Sequence, residues 1–225
     1  MMGKKGSILH SFTVGGSASL SIPSVWLPAS REFRRRSGGT TDFSVSYDYQ
    51  RRPLYTRNIA NAGMRYAWRY RRANYTFDLL DISYIYLPWV ADAFKDKYLQ
   101  PSSSIRYSYE DHFIMRMGFG VSYSNKRSES RISDYYVIRA SVKTAGNFLY
   151  GMSKLFHQTP SEDGGYRIFN TRYSQYAKAE FDFVYNHKFS DRNSLVFHTG
   201  LGAVVPYGNA SIVPYEERFF SGGAN

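Results

Sequence analysis

The residues from which acid–base or metal chemistry would have to be built are the five histidines, His10, His112, His157, His187 and His198, and the adjacent pair Asp111-His112. The histidines are scattered without the short ligand spacings of a metal site. Asp111-His112 has no nucleophile on a recognisable elbow to complete it, so it reads as a chance dyad at a strand end. There is no Cys, which excludes a disulfide framework, a thiolate metal site and a thiol nucleophile. Gly118-Phe119-Gly120 and Gly200-Leu201-Gly202 lack the third glycine of a dinucleotide fingerprint. In strands such glycines ease curvature or let the wall accept a bulky loop. No catalytic residue, metal site or cofactor is expected, and the chain does not read as an enzyme.

The charge balance offers a second kind of chemistry. Lys and Arg total 29 against 18 Asp and Glu, a net charge of +11, and Arg and Tyr interleave over Arg65 to Arg72. That pattern could join phosphate contact to base stacking. A stacking platform needs cations and rings on one face, however, and alternation puts these on opposite faces, so nucleic acid is not an expected partner.

The elements that place these residues are strands. From Asp42 the apolar positions Phe43, Val45, Tyr47 and Tyr49 alternate with Ser44, Ser46, Asp48 and Gln50, the period-two pattern of a two-faced strand. Ala60, Ala62, Met64, Tyr66, Trp68 and Tyr70 oppose Asn61, Gly63, Arg65, Ala67, Arg69 and Arg71. Similar strands read at 11–22, 75–87, 112–124 and 134–144, and a closing hairpin turns at Ser190 to Asn193 between Ala177–Asn186 and Leu195–Val205. Short helices are expected over Val90 to Leu99 and Asn147 to Phe156.

About eight strands of roughly 10 to 14 residues exceed the usual soluble length and fit tilted spans with an apolar lipid face and a polar lumen face. No stretch supplies the roughly 18 uncharged apolar residues of a spanning helix. Aromatic residues make up 18% of the chain and crowd toward strand ends at Tyr47, Tyr49, Tyr66, Trp68, Tyr70, Tyr84 and Tyr86, as an interfacial girdle would. Short turns at 71–74 and 190–193 oppose long loops at 88–111 and 145–172, the outer-membrane asymmetry. Residues 51–56 and 23–40, the latter with Arg34-Arg35-Arg36, depart from it.

The expected fold class is therefore all-β, an antiparallel transmembrane β-barrel of the outer-membrane type. Phe43, Val45, Met64, Phe119, Phe181, Phe183, Leu201 and Ala203 are expected to face lipid. Arg65, Arg69, Arg116, Arg139, Lys143 and Lys178 are expected to line the lumen with Asp48, Asp81, Glu180 and Asp182. Surplus cations would meet anionic headgroups or lipopolysaccharide at the rims. On this reading Phe183→Arg costs about 2 to 4 kcal/mol near the midplane and Lys178→Ala is nearly silent.

Pro206-Tyr207-Gly208-Asn209 followed by Pro214-Tyr215-Glu216-Glu217-Arg218-Phe219-Phe220-Ser221-Gly222-Gly223-Ala224-Asn225 resembles the loop preceding the Arg-Gly motif of the BamA and TamA family of outer-membrane assembly barrels. Gln50 to Arg57, Tyr66-Ala67-Trp68-Arg69, Thr144 to Asn147 and Ser174-Gln175-Tyr176 also resemble tyrosine-rich members of that family. The resemblance covers about residues 11–225 and implies that residues 1–225 are a partial barrel domain without POTRA domains. The eight strands would be roughly the fourth to the eleventh of sixteen.

It further implies the bacterial outer membrane, with no export signal legible in Met1 to Phe12 because the chain is partial. Its partners would be outer-membrane lipid and lipopolysaccharide, client β-barrel proteins and accessory lipoproteins. In the family the loop folds back into the lumen and its arginine meets acidic groups on the wall. The resemblance thus marks Glu217, Arg218, Phe219, Gly222 and Gly223 as the functional loop, with Glu180 and Asp182 as wall carboxylates facing it. A self-contained eight-stranded pore or adhesin is the alternative; in either case strands 11–22 and 194–206 are the ends of the set, and a cut from a larger ring would leave them unpaired.

Overall fold

A computed structural model describes residues 11–24, 32, 38–92, 111–126, 134–161, 164–168, 171–190 and 192–219. The strands are β1 (Phe12–Ile22), β2 (Thr40–Arg51), β3 (Tyr55–Tyr70), β4 (Ala73–Val90), β5 (His112–Ser124), β6 (Tyr135–Ala145), β9 (Tyr176–Lys188) and β10 (Ser194–Pro206). Between β6 and β9 lie helix α1 (Asn147–Leu155) and a small hairpin, β7 (Arg167–Ile168) with β8 (Thr171–Arg172). The long strands form one eight-stranded sheet in chain order, every pair antiparallel. The protein is thus all-β, and among the described residues the sheet is open: β1 pairs only with β2 and β10 only with β9. The edges are the two strands expected.

Register keeps the two chemistries apart across the whole sheet. One row crossing the strands reads Asp42, Arg65, Asp78, Gly118, Lys143 and Lys178, and every member faces the polar side. Displaced from it, Phe43 lies beside Met64, Val45 beside Ala62, and Phe181 between Ala140 and Leu201 on the apolar side. Since the side-chain period is two, a slip of one residue anywhere would exchange the faces.

β4 avoids that exchange with a bulge. Its pairing to β3 shifts between Met64↔Leu80 and Arg65↔Asp78, and its pairing to β5 shifts between Asp78 and Asp81. One extra residue in one strand of a pair makes such a shift. Asp78 and Asp81, an odd three residues apart, consequently share the polar face. There Asp78 holds Arg65 and Asp81 holds Arg116.

β3 and β4 run 16 and 18 residues, longer than the alternation suggests. β2 and β3 take up both ends of the expected 51–56 connection, which shrinks to the tight turn closed by Arg52 N–H donating to the Tyr55 carbonyl, 2.8 Å. The helix expected at Asn147 is present, and Gly146 before it holds φ +74. A Cβ at Gly146 would sit 2.4 Å from the Ser174 carbonyl oxygen, so this helix entry requires glycine. Val90, expected to open another helix, ends β4 instead. Residues 93–99 and Arg34-Arg35-Arg36 lie outside the described residues.

Rings gather at both ends of the apolar face. Trp68 stacks on Tyr75 (centroids 5.6 Å) and both meet Phe119 toward the short-turn end. Tyr84 meets Tyr86 and Phe113 toward the long-loop end. Phe12, Val14, Leu20, Val45, Val142, Phe197, Leu201 and Val205 remain exposed on this face.

Candidate functional site

The segment after β10 turns back over the polar face. It is anchored first by Asn209, which is buried. The Asn209 side-chain amide donates to the Tyr166 carbonyl (3.0 Å) and the Tyr173 carbonyl (2.9 Å), and its Oδ1 accepts the Tyr166 N–H (2.7 Å). The Asn209 N–H donates to Gln175 Oε1 (2.8 Å), and Arg172 Nε donates to the Asn209 carbonyl (2.6 Å). One side chain thus satisfies three main-chain groups in a buried place, where unpaired groups are costly. Asn209→Ala is expected to lower stability by about 2 kcal/mol and loosen residues 207–219, read by urea titration and by the rate of proteolysis within that segment.

From Asn209 the segment runs to a single 3-10 turn, Tyr215–Glu217, that presents two carboxylates to the wall. Glu216 Oε1 accepts Arg57 Nη2 of β3 at 2.6 Å. Glu217, buried, meets Arg116 Nη1 of β5 and lies 3.5 Å from Lys178 Nζ of β9. Arg116 in turn forks onto Asp81 of β4, Nε to Oδ2 and Nη2 to Oδ1, each 2.9 Å. Lys178 also reaches Glu180 Oε1 at 3.2 Å, and Glu180 accepts the Ser141 hydroxyl at 3.1 Å.

Charges therefore alternate from Asp81 through Arg116, Glu217 and Lys178 to Glu180, joining strands β4, β5 and β9 through one loop carboxylate. Planar two-point pairing makes Arg116 the geometrically specific member. Beneath the seat, Ile114, Ala145 and Tyr176 form a small buried apolar cluster with Val204 beside it.

Phe219 continues past the clasp. Its ring lies against Gly202 of β10, where a Cβ would fall 2.5 Å from ring carbons. Lys178 Nζ stands 4.7 Å from the ring centroid, a cation–π distance. The glycine on the wall therefore admits the bulky loop residue. Gly202→Val should expel the Phe219 ring and expose residues 207–219 to protease while the sheet stays folded; unchanged cleavage would show that the ring finds another seat. Beside Phe219 a trough of about 670 Å3 opens, lined among others by Arg139, Glu180, Asp182 and Gly200 of β6, β9 and β10.

Of the residues marked from sequence, Glu217 and Phe219 lie on the wall beside Glu180. Arg218 turns away, its Nε donating to the Val213 carbonyl within the loop at 3.0 Å. Asp182 is paired with His198 Nε2 at 2.5 Å. Gly222 and Gly223 lie outside the described residues. In the described part of the loop the contacts run from loop carboxylate to wall cation.

Lys178 is correspondingly not the idle lumen lysine expected. Its side chain is almost covered and shared among Glu217, Glu180 and Phe219, so Lys178→Ala is expected to loosen the loop. Arg57, Glu216 and Asn209 were not marked from sequence. The excess of wall cations over wall carboxylates was the signal that an acidic segment would come to them. Asp111 is also engaged, its Oδ1 accepting the Leu87 N–H at 2.8 Å, as a strand-end clasp. Compared with protein-family models and with curated proteins, the chain matches none.

Proposed function

We propose that this chain is part of the wall of an outer-membrane β-barrel resembling BamA or TamA, whose parent protein inserts other β-barrel proteins into the outer membrane. The observation that carries this reading is the chemistry of the sheet edges. Every inner strand of the sheet contains Asp, Glu, Lys or Arg, whereas β1 and β10 contain none of the four. Strand edges meant to stay free are guarded by charge, proline or bulges. Two long unguarded edges suit strands that continue into neighbours, and an exposed apolar face opposite a charged one suits a wall between lipid and a wet lumen.

That the edges do not join each other favours a larger ring over a self-contained eight-stranded pore or adhesin. Within such a ring the segment at 207–219 acts as a lumen plug seated by Glu217 and Phe219. No cofactor enters this activity: binding and releasing strands requires only backbone pairing and local movement of lipid. The test is client assembly in cells carrying the whole parent protein. Gly202→Val, or Val at both Gly222 and Gly223, should reduce assembly of client barrels while the parent itself still reaches the outer membrane. Normal client assembly with the loop displaced would contradict the proposal.

A further inference from the structure

The segment following β6 folds over the apolar side of the sheet, not the polar one. Leu149 of α1, with Tyr166 and Tyr173, packs on Phe113 and against Ile82, Tyr84 and Met115. Register places Ile82 beside Met115 and Tyr84 beside Phe113, all on the face that carries Val142 and Phe119. Helix α1 therefore lies outside the wall, at its long-loop end.

The helix has two apolar sides. Leu149 and Ser153 are buried against the sheet, while Phe148, Leu155 and the capping residue Phe156 are 53%, 68% and 70% exposed. Positions 148, 152 and 155 share one stripe of an α-helix, so Met152 joins it. At nine residues α1 is far too short to cross a bilayer. Among the described residues of 146–175 the charged groups are Lys154, Arg167 and Arg172, while Glu162 and Asp163 lie outside the described residues. Lys154 Nζ stands over the Tyr150 and Tyr166 rings at 5.6 and 5.7 Å, which keeps its charge beside the helix and not over the Phe148 stripe.

The geometry points to α1 as an interfacial lipid-binding element. Phe148, Leu155 and Phe156 enter the acyl layer of the leaflet at the long-loop end, and Lys154 sits at the level of headgroup phosphates. The inference rests on the membrane reading above. Lipid is favoured as the occupant because the exposed stripe continues the exposed apolar face of the sheet and because a cation, Lys154, stands at its border. A short amphipathic helix with aromatic residues on one side and a cation at its border is the type that lies in an interface and prefers anionic lipid. By covering β4 and β5 it also replaces direct wall–lipid contact there with contact through the helix.

Because the chain contains no Cys, single thiols can carry an environment-sensitive fluorophore at Phe156→Cys, Thr159→Cys and Leu201→Cys. The full chain is placed in phosphatidylcholine vesicles with and without phosphatidylglycerol. The label at 156 should shift to the blue, be quenched by lipids carrying a nitroxide high on the acyl chain, and resist aqueous iodide. The label at 159 should remain open to iodide. Lys154→Gln should remove the difference between the two vesicle compositions without altering the sheet.

If the label at 201 is quenched from lipid while that at 156 is quenched only by iodide, the interfacial helix is refuted and the membrane reading stands. If both are open to iodide, the membrane reading fails with it. A blue shift at 156 that grows with protein concentration and shows no lipid quenching would assign the stripe to a second copy of the chain and overturn the inference.

Discussion

Replacing Arg116 with Ala should cost about 3–5 kcal/mol, because it breaks a largely buried ion pair and leaves a carboxylate behind. The carboxylate is Glu217, whose side chain is 9% exposed against 17% for Arg116. Lys178, at 3.5 Å, is a single point charge and cannot replace the guanidinium fork that ties Asp81 to the same centre. The loop should consequently lift from the sheet instead of keeping Glu217 in place. Arg57→Ala is the internal comparison: it removes the parallel contact to Glu216, but those side chains are 20% and 30% exposed, so about 0.5–1 kcal/mol is expected. Urea titration followed by a probe on the sheet and another on residues 207–219 separates the two. Equal effects for Arg116 and Arg57 would mean that the clasp is an ordinary surface contact.

The second large effect belongs to the apolar face. Val45 and Leu201 lie mid-strand and are 60% and 66% exposed. In water a substitution at such a site stays within about 0.5 kcal/mol. Against lipid, Arg at the same place costs about 2–4 kcal/mol at the midplane. Val45→Arg and Leu201→Arg should therefore each destabilise the protein in bilayers by that larger amount. Exposure in the sheet makes the result diagnostic: no side chain of the described residues fills those positions, so a large penalty has to come from the surrounding medium. Folding measured against urea in phospholipid vesicles reads it.

Much of this architecture was legible in the residues. Alternation at Phe43 to Tyr49 and Phe113 to Tyr123 marks strands and assigns faces, because a period of two has only one way to hide its rings. The bulge in β4 was not read from the sequence, where 75–87 passes as one plain strand. Tyr75, Phe77 and Leu79 keep one phase and Leu80, Ile82, Tyr84 and Tyr86 the other, with Ile85 and Leu87 blurring the change, so the extra residue shows only once the pairing is known.

The direction of the clasp was not legible. Glu216-Glu217-Arg218 offers both signs within three residues, and only the path fixed by Asn209 and the 3-10 turn decides that the carboxylates reach the wall while Arg218 bonds Val213. Nor could local pattern show that α1 packs outside the sheet. Leu149 and Phe148 are both apolar, and the choice of which is buried belongs to Phe113 and Tyr173, distant in sequence.

The most direct measurement of the central claim is a thiol-accessibility scan along β10 of the full chain in phospholipid vesicles. Single Cys residues at Phe197, His198, Gly200, Leu201 and Val205 are treated with a membrane-impermeant maleimide. Both faces of this edge strand are open in the sheet, so protection can arise only from what surrounds it. The account predicts modification at 198 and 200 and protection at 197, 201 and 205. Labelling at 197, 201 and 205 as fast as at 198 would contradict a lipid-facing wall.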